Sequence, residues 1–303
     1  MASSEPQPEL IADYGCVVGE NPLWHPDEER LYWVDIDTGR LFRYHPASGQ
    51  HEQCYAGDPI GGFTLQADGA LLLFMARGAV RVWRAGRLTT LIDSIPEEIN
   101  TRFNDVIADP AGRVFCGTMP VGAPPSAGGS GGGRPGRLYR LDPDLRLTRL
   151  LDGIGCSNGL GFTPDRRCLY YTDSIPREIY AFDYDPASGG LSGQRLFARA
   201  PAEGGLPDGL TVDAEGGVWS ARWGGGSVVR YTPDGAEERR LAFPARRISS
   251  LTFGGPDYAD LYVTTAGGQD KTTFGPGAGA LFRVRPGVRG VPEFRSRIGL
   301  AQV

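Results

Sequence analysis

Two carboxylates and two carboxamides recur at one position of a repeated phrase. Glu20 opens GENPLWHPDEE, Asn104 lies in RFNDVIADPAG, Asn158 in CSNGLGFTPD and Asp208 in LPDGLTVDAEGG. Taken singly, Asn158-Gly159 and Asp208-Gly209 read as tight β-hairpin turns. Glu20-Asn21-Pro22 and Phe103-Asn104-Asp105 do not suit such a turn, so what the four share is place. If they converge, the two acids repel in a partly buried site, and one takes up a proton unless a cation joins them. A divalent ion cancels a charge of −2, and amide oxygens add neutral ligands. An all-oxygen set without Cys or His favours Ca²⁺, Mg²⁺ or Mn²⁺ over a structural Zn²⁺. Water would complete the shell, and an open, water-bearing ion is equipped for hydrolysis.

Something must bring residues 188 positions apart to one point. The phrase starts six times, at Glu20, Gly61, Asn104, Asn158, Asp208 and Ser249, with spacings of 41, 43, 54, 50 and 41 residues. Each start leads into a short apolar strand, a Pro/Asp/Gly turn and a second strand: LYWVD, LLLFM, VFCGTM, LYYTD, VWSAR and LYVTTA. These are rich in the β-branched and aromatic residues that strands prefer. An alternating third strand follows, as in RLYRLDPD, and a weaker fourth, as in RLTTLID. Four strands per ~40–50 residues is the blade of a β-propeller. The expected fold is therefore all-β, a single six-bladed propeller over 1–303 with a central metal site. PELIADYG should supply the strand that completes the last blade. Entrances to innermost strands meet near the axis, so Glu20, Asn104, Asn158 and Asp208 are expected to face one another.

Composition agrees with this. The 303 residues include 45 Gly and 24 Pro, which leaves no room for a helix beyond about three turns, yet 40% are hydrophobic and spread along the chain. A net charge of −5 gives no electrostatic reason to expect nucleic acid or an anionic membrane. No basic-then-apolar leader and no run of ~18 apolar residues is visible. Five scattered cysteines without a C-x-x-C pair read as reduced thiols, which points to the cytoplasm. The three histidines, His25, His45 and His51, fall in turns of the first repeat and are expected at the surface.

GENPLWHPDEERLYWVDI, TRFNDVIADPAGRVFCGTM, CSNGLGFTPDRRCLYYTDS and LPDGLTVDAEGGVWSARWGG resemble, in order and spacing, the SMP-30/gluconolactonase/luciferin-regenerating family. The resemblance implies a six-bladed propeller that hydrolyses sugar lactones with one divalent ion per chain (Ca, Mn, Zn, Mg or Fe). It implies that Glu20, Asn158 and Asp208 hold the metal. Asn104 would lie beside it and touch substrate, and Arg102 of the same RFND phrase would bind substrate oxygens. Asp208 is the candidate to orient or deprotonate the attacking water while remaining a ligand. The expected partner is a small sugar lactone, in a monomer or small homo-oligomer. One departure concerns specificity. Animal members carry a sugar-contacting glutamate shortly after Gly-Thr-Met, whereas here Gly117-Thr118-Met119 runs into Pro120 and the Gly/Pro-rich insertion of residues 120–136, in blade three.

That insertion contains Gly128-Gly129-Ser130-Gly131-Gly132, formally a G-x-S-x-G sequence. A nucleophile elbow needs a strand-turn-helix setting, which is missing here, so Ser130 is not expected to be catalytic. The competing readings are hydrolysis of another ester or a phosphotriester, and a propeller scaffold with a purely structural metal.

Overall fold

In the computed structural model, which describes residues 6–121 and 136–300, the six repeats are six four-stranded antiparallel sheets. Their inner strands are Gly19–His25, Ile60–Leu65, Thr101–Ala108, Ser157–Phe162, Leu206–Val212 and Ile248–Gly254. Each inner strand packs beside that of the next blade, and the sixth returns to the first, so the ring is closed. Large side chains wedge between neighbouring blades. Leu23, Tyr32 and Val34 of blade one pack on Phe63, Leu73 and Trp83 of blade two, while Trp24 and Trp33 meet Tyr262 and Leu281 of blade six. Burial between twisted sheets, rather than helix packing, makes the core.

The expected closing strand is present. Glu9–Asp13 pairs antiparallel with Ala280–Val284, so blade six takes three strands from the end of the chain and one from its beginning. Among the described residues the helical segments are short: Lys271–Phe274 and two single turns of 3₁₀ helix. No helix is long and apolar enough to cross a membrane. All five cysteines are free thiols. Most of the insertion at 120–136, with Ser130, lies outside the described residues.

The segment after blade six runs across one face and touches every blade. Gly290 N–H donates to Tyr258 O of blade six, and Ala214 N–H of blade five donates to Arg289 O. Phe294 packs against Phe162 of blade four. Arg295 makes two 2.7 Å bonds to Asp27 of blade one. Ser296 N–H donates to Leu65 O of blade two, and Arg297 N–H to Gly112 O of blade three. Glu293 and Phe294, with inner-strand residues such as Leu23, Ile107 and Leu251, close the axial channel down to a space of about 50 Å³.

Every inner strand carries a β-bulge where the repeated phrase begins. Register with the second strand slips between Glu20 and Leu23, Ile60 and Gly62, Phe103 and Val106, Asn158 and Leu160, Pro207 and Leu210, and Ile248 and Ser250. A bulge inserts a residue, bends the strand and re-aims its side chains. The phrase thus marks a kink inside the first strand, not the turn or entrance before it.

This corrects the turn reading of Asn158-Gly159 and Asp208-Gly209. Neither glycine has a positive φ. What they provide is clearance: a Cβ on Gly159 would stand 2.5 Å from Leu210 N, and one on Gly209 2.3 Å from Ser250 Oγ. The bulges press neighbouring inner strands so close that these positions cannot hold a side chain. His25 also differs from expectation. It is buried rather than superficial, with Nδ1 accepting from Glu28 N–H and Nε2 3.3 Å from Gly69 O of blade two.

Candidate functional site

At the end of the channel opposite the tail, the bulges surround a cavity of about 650 Å³ whose walls include Glu20, Arg102, Asn104, Asn158 and Asp208. All the side chains singled out by type and spacing are therefore brought together. Four are nearly inaccessible, with exposures of 3% for Glu20, 4% for Asn104 and Asn158 and 6% for Asp208. The cavity wall also includes the residue two positions before each phrase start: Val18, Pro59, Arg102, Cys156, Leu206 and Arg247. The propeller thus stacks two rings, one level with the bulges and one nearer the mouth.

Hydrogen bonds fix which atom each amide presents. Ser174 donates its hydroxyl to Pro207 O at 2.6 Å, so toward Asn158 it can only accept. Asn158 accordingly donates Nδ2–H to Ser174 Oγ at 2.7 Å, which turns its Oδ1 the other way. That oxygen accepts from Asn104 Nδ2 at 2.6 Å and keeps a lone pair. Asn104 also donates to Ser157 O at 2.7 Å, and its own Oδ1 accepts from Arg102 Nη1 at 2.5 Å. Asn104 is therefore a strut between Arg102 and Asn158, its oxygen already engaged. Arg102 spends Nη1 on Asn104 and Phe103 O and keeps its other donors.

The carboxylates carry the electrostatic strain. Glu20 is pushed well above the ordinary carboxylate range by burial and then by the charge of Asp105. Asp208 is pushed the same way by burial, by Glu20 and by Asp105. Asp105 is itself pushed up to about 7 by burial. Arg102 opposes all three from the cavity wall, and its own affinity for a proton is lowered by desolvation. Three buried acids facing one arginine is a surplus of negative charge, which a divalent cation corrects. Among the described residues, no three His, Cys, Asp or Glu side chains gather in metal-binding geometry. The donor set that fits an ion is mixed: Glu20, Asp208 and the Oδ1 of Asn158, all oxygen.

Asp105 is the residue that sequence reasoning overlooked. In a regular strand it would point away from Asn104. The bulge instead sets both against the single Gly117, between the pairs Phe103–Thr118 and Val106–Cys116, and Asp105 lines the narrow space below the acids. Arg247 went unnoticed too, although its place two residues before Ser249 is the counterpart of Arg102 before Asn104.

A family model for the SMP-30/Gluconolactonase/LRE-like region matches residues 18–267. The chain belongs to this family. It is similar to the structure of a luciferin-regenerating enzyme, with a TM-score of 0.86 at 28% identity over 97% of this chain and 100% of that one. A calcium-binding protein, regucalcin, from Agrobacterium tumefaciens superposes equally well, with a TM-score of 0.86, 26% identity and 95% and 97% coverage. By sequence, pentonolactonase XacC of Haloferax volcanii is 48% identical over 300 residues, covering 96% of this chain and 98% of that protein.

Proposed function

We propose that this chain is a divalent-metal-dependent hydrolase that opens sugar lactones to the sugar acids, with pentonolactones and gluconolactone as the first substrates to try. The observation that carries the reading is the convergence of Glu20, Asn158 and Asp208, buried and short of positive charge, on a cavity large enough for a sugar ring. Likeness to a pentonolactonase over nearly the whole chain supports the substrate class.

Glu20, Asn158 and Asp208 are the residues that would hold the ion, which when bound supplies Lewis-acid polarisation of the lactone carbonyl. Arg102, held by Asn104 and the Phe103 carbonyl, directs its remaining N–H groups at substrate oxygens. Asp208, on the cavity wall with Glu20 and Asn158, takes the proton of the attacking water while remaining a ligand. Asn104 braces Arg102 against Asn158, so substrate and ligand positions are mechanically linked. No covalent nucleophile is required, because aldonolactones already open slowly in water.

The test is acid release on adding each of a panel of lactones, with and without chelator, followed by restoration with Ca²⁺, Mg²⁺, Mn²⁺, Zn²⁺ or Fe²⁺. Chelation should abolish turnover, and several of the ions should restore it to different degrees. Full activity in excess chelator would sink the metal-dependent mechanism. A bound metal without any hydrolysis would favour the scaffold reading.

A further inference from the structure

The upper ring of the cavity is apolar at Val18, Pro59, Cys156 and Leu206 but carries arginines in blades three and six. In a closed ring of six blades these two positions are diametrically opposite. Arg102 is tied to the metal side of the floor through Asn104. Arg247 is placed differently. Its guanidinium carbon lies 3.6 Å from the ring centroid of Phe274 and 4.9 Å from that of Trp223, and among the described residues the group makes no hydrogen bond or ion pair. Phe274 stands on the short helix Lys271–Phe274, and Trp223 ends the second strand of blade five.

A guanidinium stacked on a ring uses its face for packing and keeps its N–H groups for acceptors in its own plane. The stack also removes the rotamer freedom that an arginine normally loses on binding, so the fork is ready before a ligand arrives. Its two parallel donors match a pair of neighbouring oxygens. Asp37, also on the cavity wall and without a hydrogen-bond partner among the described residues, acts through its charge on Arg102, whereas the carboxylate whose charge acts on Arg247 is Asp270, the N-cap of that short helix. A carboxylate beside the arginine disfavours a second anion and suits hydroxyls, which both donate and accept.

Building on the lactonase reading, we infer that Arg247 is a specificity-determining residue that grips two neighbouring hydroxyls of the sugar lactone, across the cavity from Arg102. The cavity is thereby selective for polyhydroxylated, uncharged lactones over bare ones.

The test compares wild type with Arg247→Met, which keeps an unbranched stem against the rings, and Arg247→Lys, which keeps the charge but loses the fork. Substrates are a pentonolactone, unsubstituted δ-valerolactone and a lactone bearing a carboxylate. Both variants should raise KM for the pentonolactone on the order of 10- to 100-fold with kcat nearly unchanged, the scale of one charge-assisted pair of hydrogen bonds. Neither should change kcat/KM for δ-valerolactone. Equal losses on the two neutral lactones would mean that the arginine only supports the wall, and would overturn the assignment. So would a wild-type preference for the carboxylated lactone that disappears in Arg247→Met. Calorimetric binding of a pentitol, which carries the hydroxyls without the ester, separates this inference from the lactonase reading. If wild type hydrolyses no lactone yet binds the pentitol in an Arg247-dependent way, only the activity fails. Equal pentitol affinity in wild type and Arg247→Met refutes the subsite.

Discussion

At the scale of single residues, the site is three acids held closer together than their charges favour. Replacing Glu20 by Gln or Asp208 by Asn should weaken metal binding, seen by calorimetric titration with Mn²⁺, and lower kcat/KM by at least ~100-fold. The two variants should then diverge. Saturating metal should partly restore Glu20→Gln but not Asp208→Asn, which also lacks the proton acceptor. Recovery of both to the same extent would remove Asp208 from the chemistry. A pH signature belongs here too. Asp105 rises from 3.8 to about 7 on folding, and Glu20 and Asp208 also rise. A raised carboxyl contributes stability that is fully present below its unfolded value and is lost as pH climbs through its folded one. The metal-free protein should therefore lose a few degrees of Tm between about pH 4 and pH 8, and Asp105→Asn should flatten that slope. A metal-free Tm that rises over the window would contradict the charge picture. Glu20, Asn158 and Asp208 were legible because the repeat marks them. Asp105 was not, because alternation in a regular strand would have sent it elsewhere, and only the bulge brings it under the acids.

At the scale of elements, the bulge is what turns a repeat into a site. Six kinks at one height of six inner strands aim their side chains inward and squeeze neighbouring strands together. Gly209→Ala should cost about 1–3 kcal/mol in urea unfolding, because its methyl meets the backbone and side chain of Ser250 in the next blade. The same change should weaken metal binding by displacing Asp208. Gly190→Ala, at a half-buried strand start with only the side-chain oxygen of exposed Ser188 nearby at 3.1 Å, should be close to neutral. Similar costs at the two sites would show that inter-strand clearance is not the reason for Gly209. The strands themselves were readable from alternation, turn residues and spacing, because those signals are local. Whether Asn-Gly and Asp-Gly form a turn or a kinked strand depends on the neighbouring blade, which no local pattern contains. His25 was misplaced for the same reason: its turn is surface-like by composition, but blade two covers it.

At the scale of the molecule, both ends of the chain are used to shut the ring. The first strand completes the last blade, and the final segment crosses all six blades at the base of the channel. Deleting residues 1–13 leaves a strand edge of blade six open. Ending the chain at Gly290 uncovers the channel floor beneath Asp105. Each truncation should lower Tm by more than about 5 °C and should also weaken metal binding, although neither removes a ligand. An unchanged Tm after the second would show that the tail merely lies on the surface. The strap has a further consequence for the way the protein comes apart. Stacked repeats with free ends fray inward, each unit sensing only its neighbours. Here the strand Glu9–Asp13 is clasped to Ala280–Val284 in the sixth blade, and one thread is laced through every repeat. Opening any one blade loosens the same thread everywhere. Amide hydrogen exchange in the metal-loaded protein should accordingly show the six inner strands exchanging together, at a common rate set by global opening rather than blade by blade.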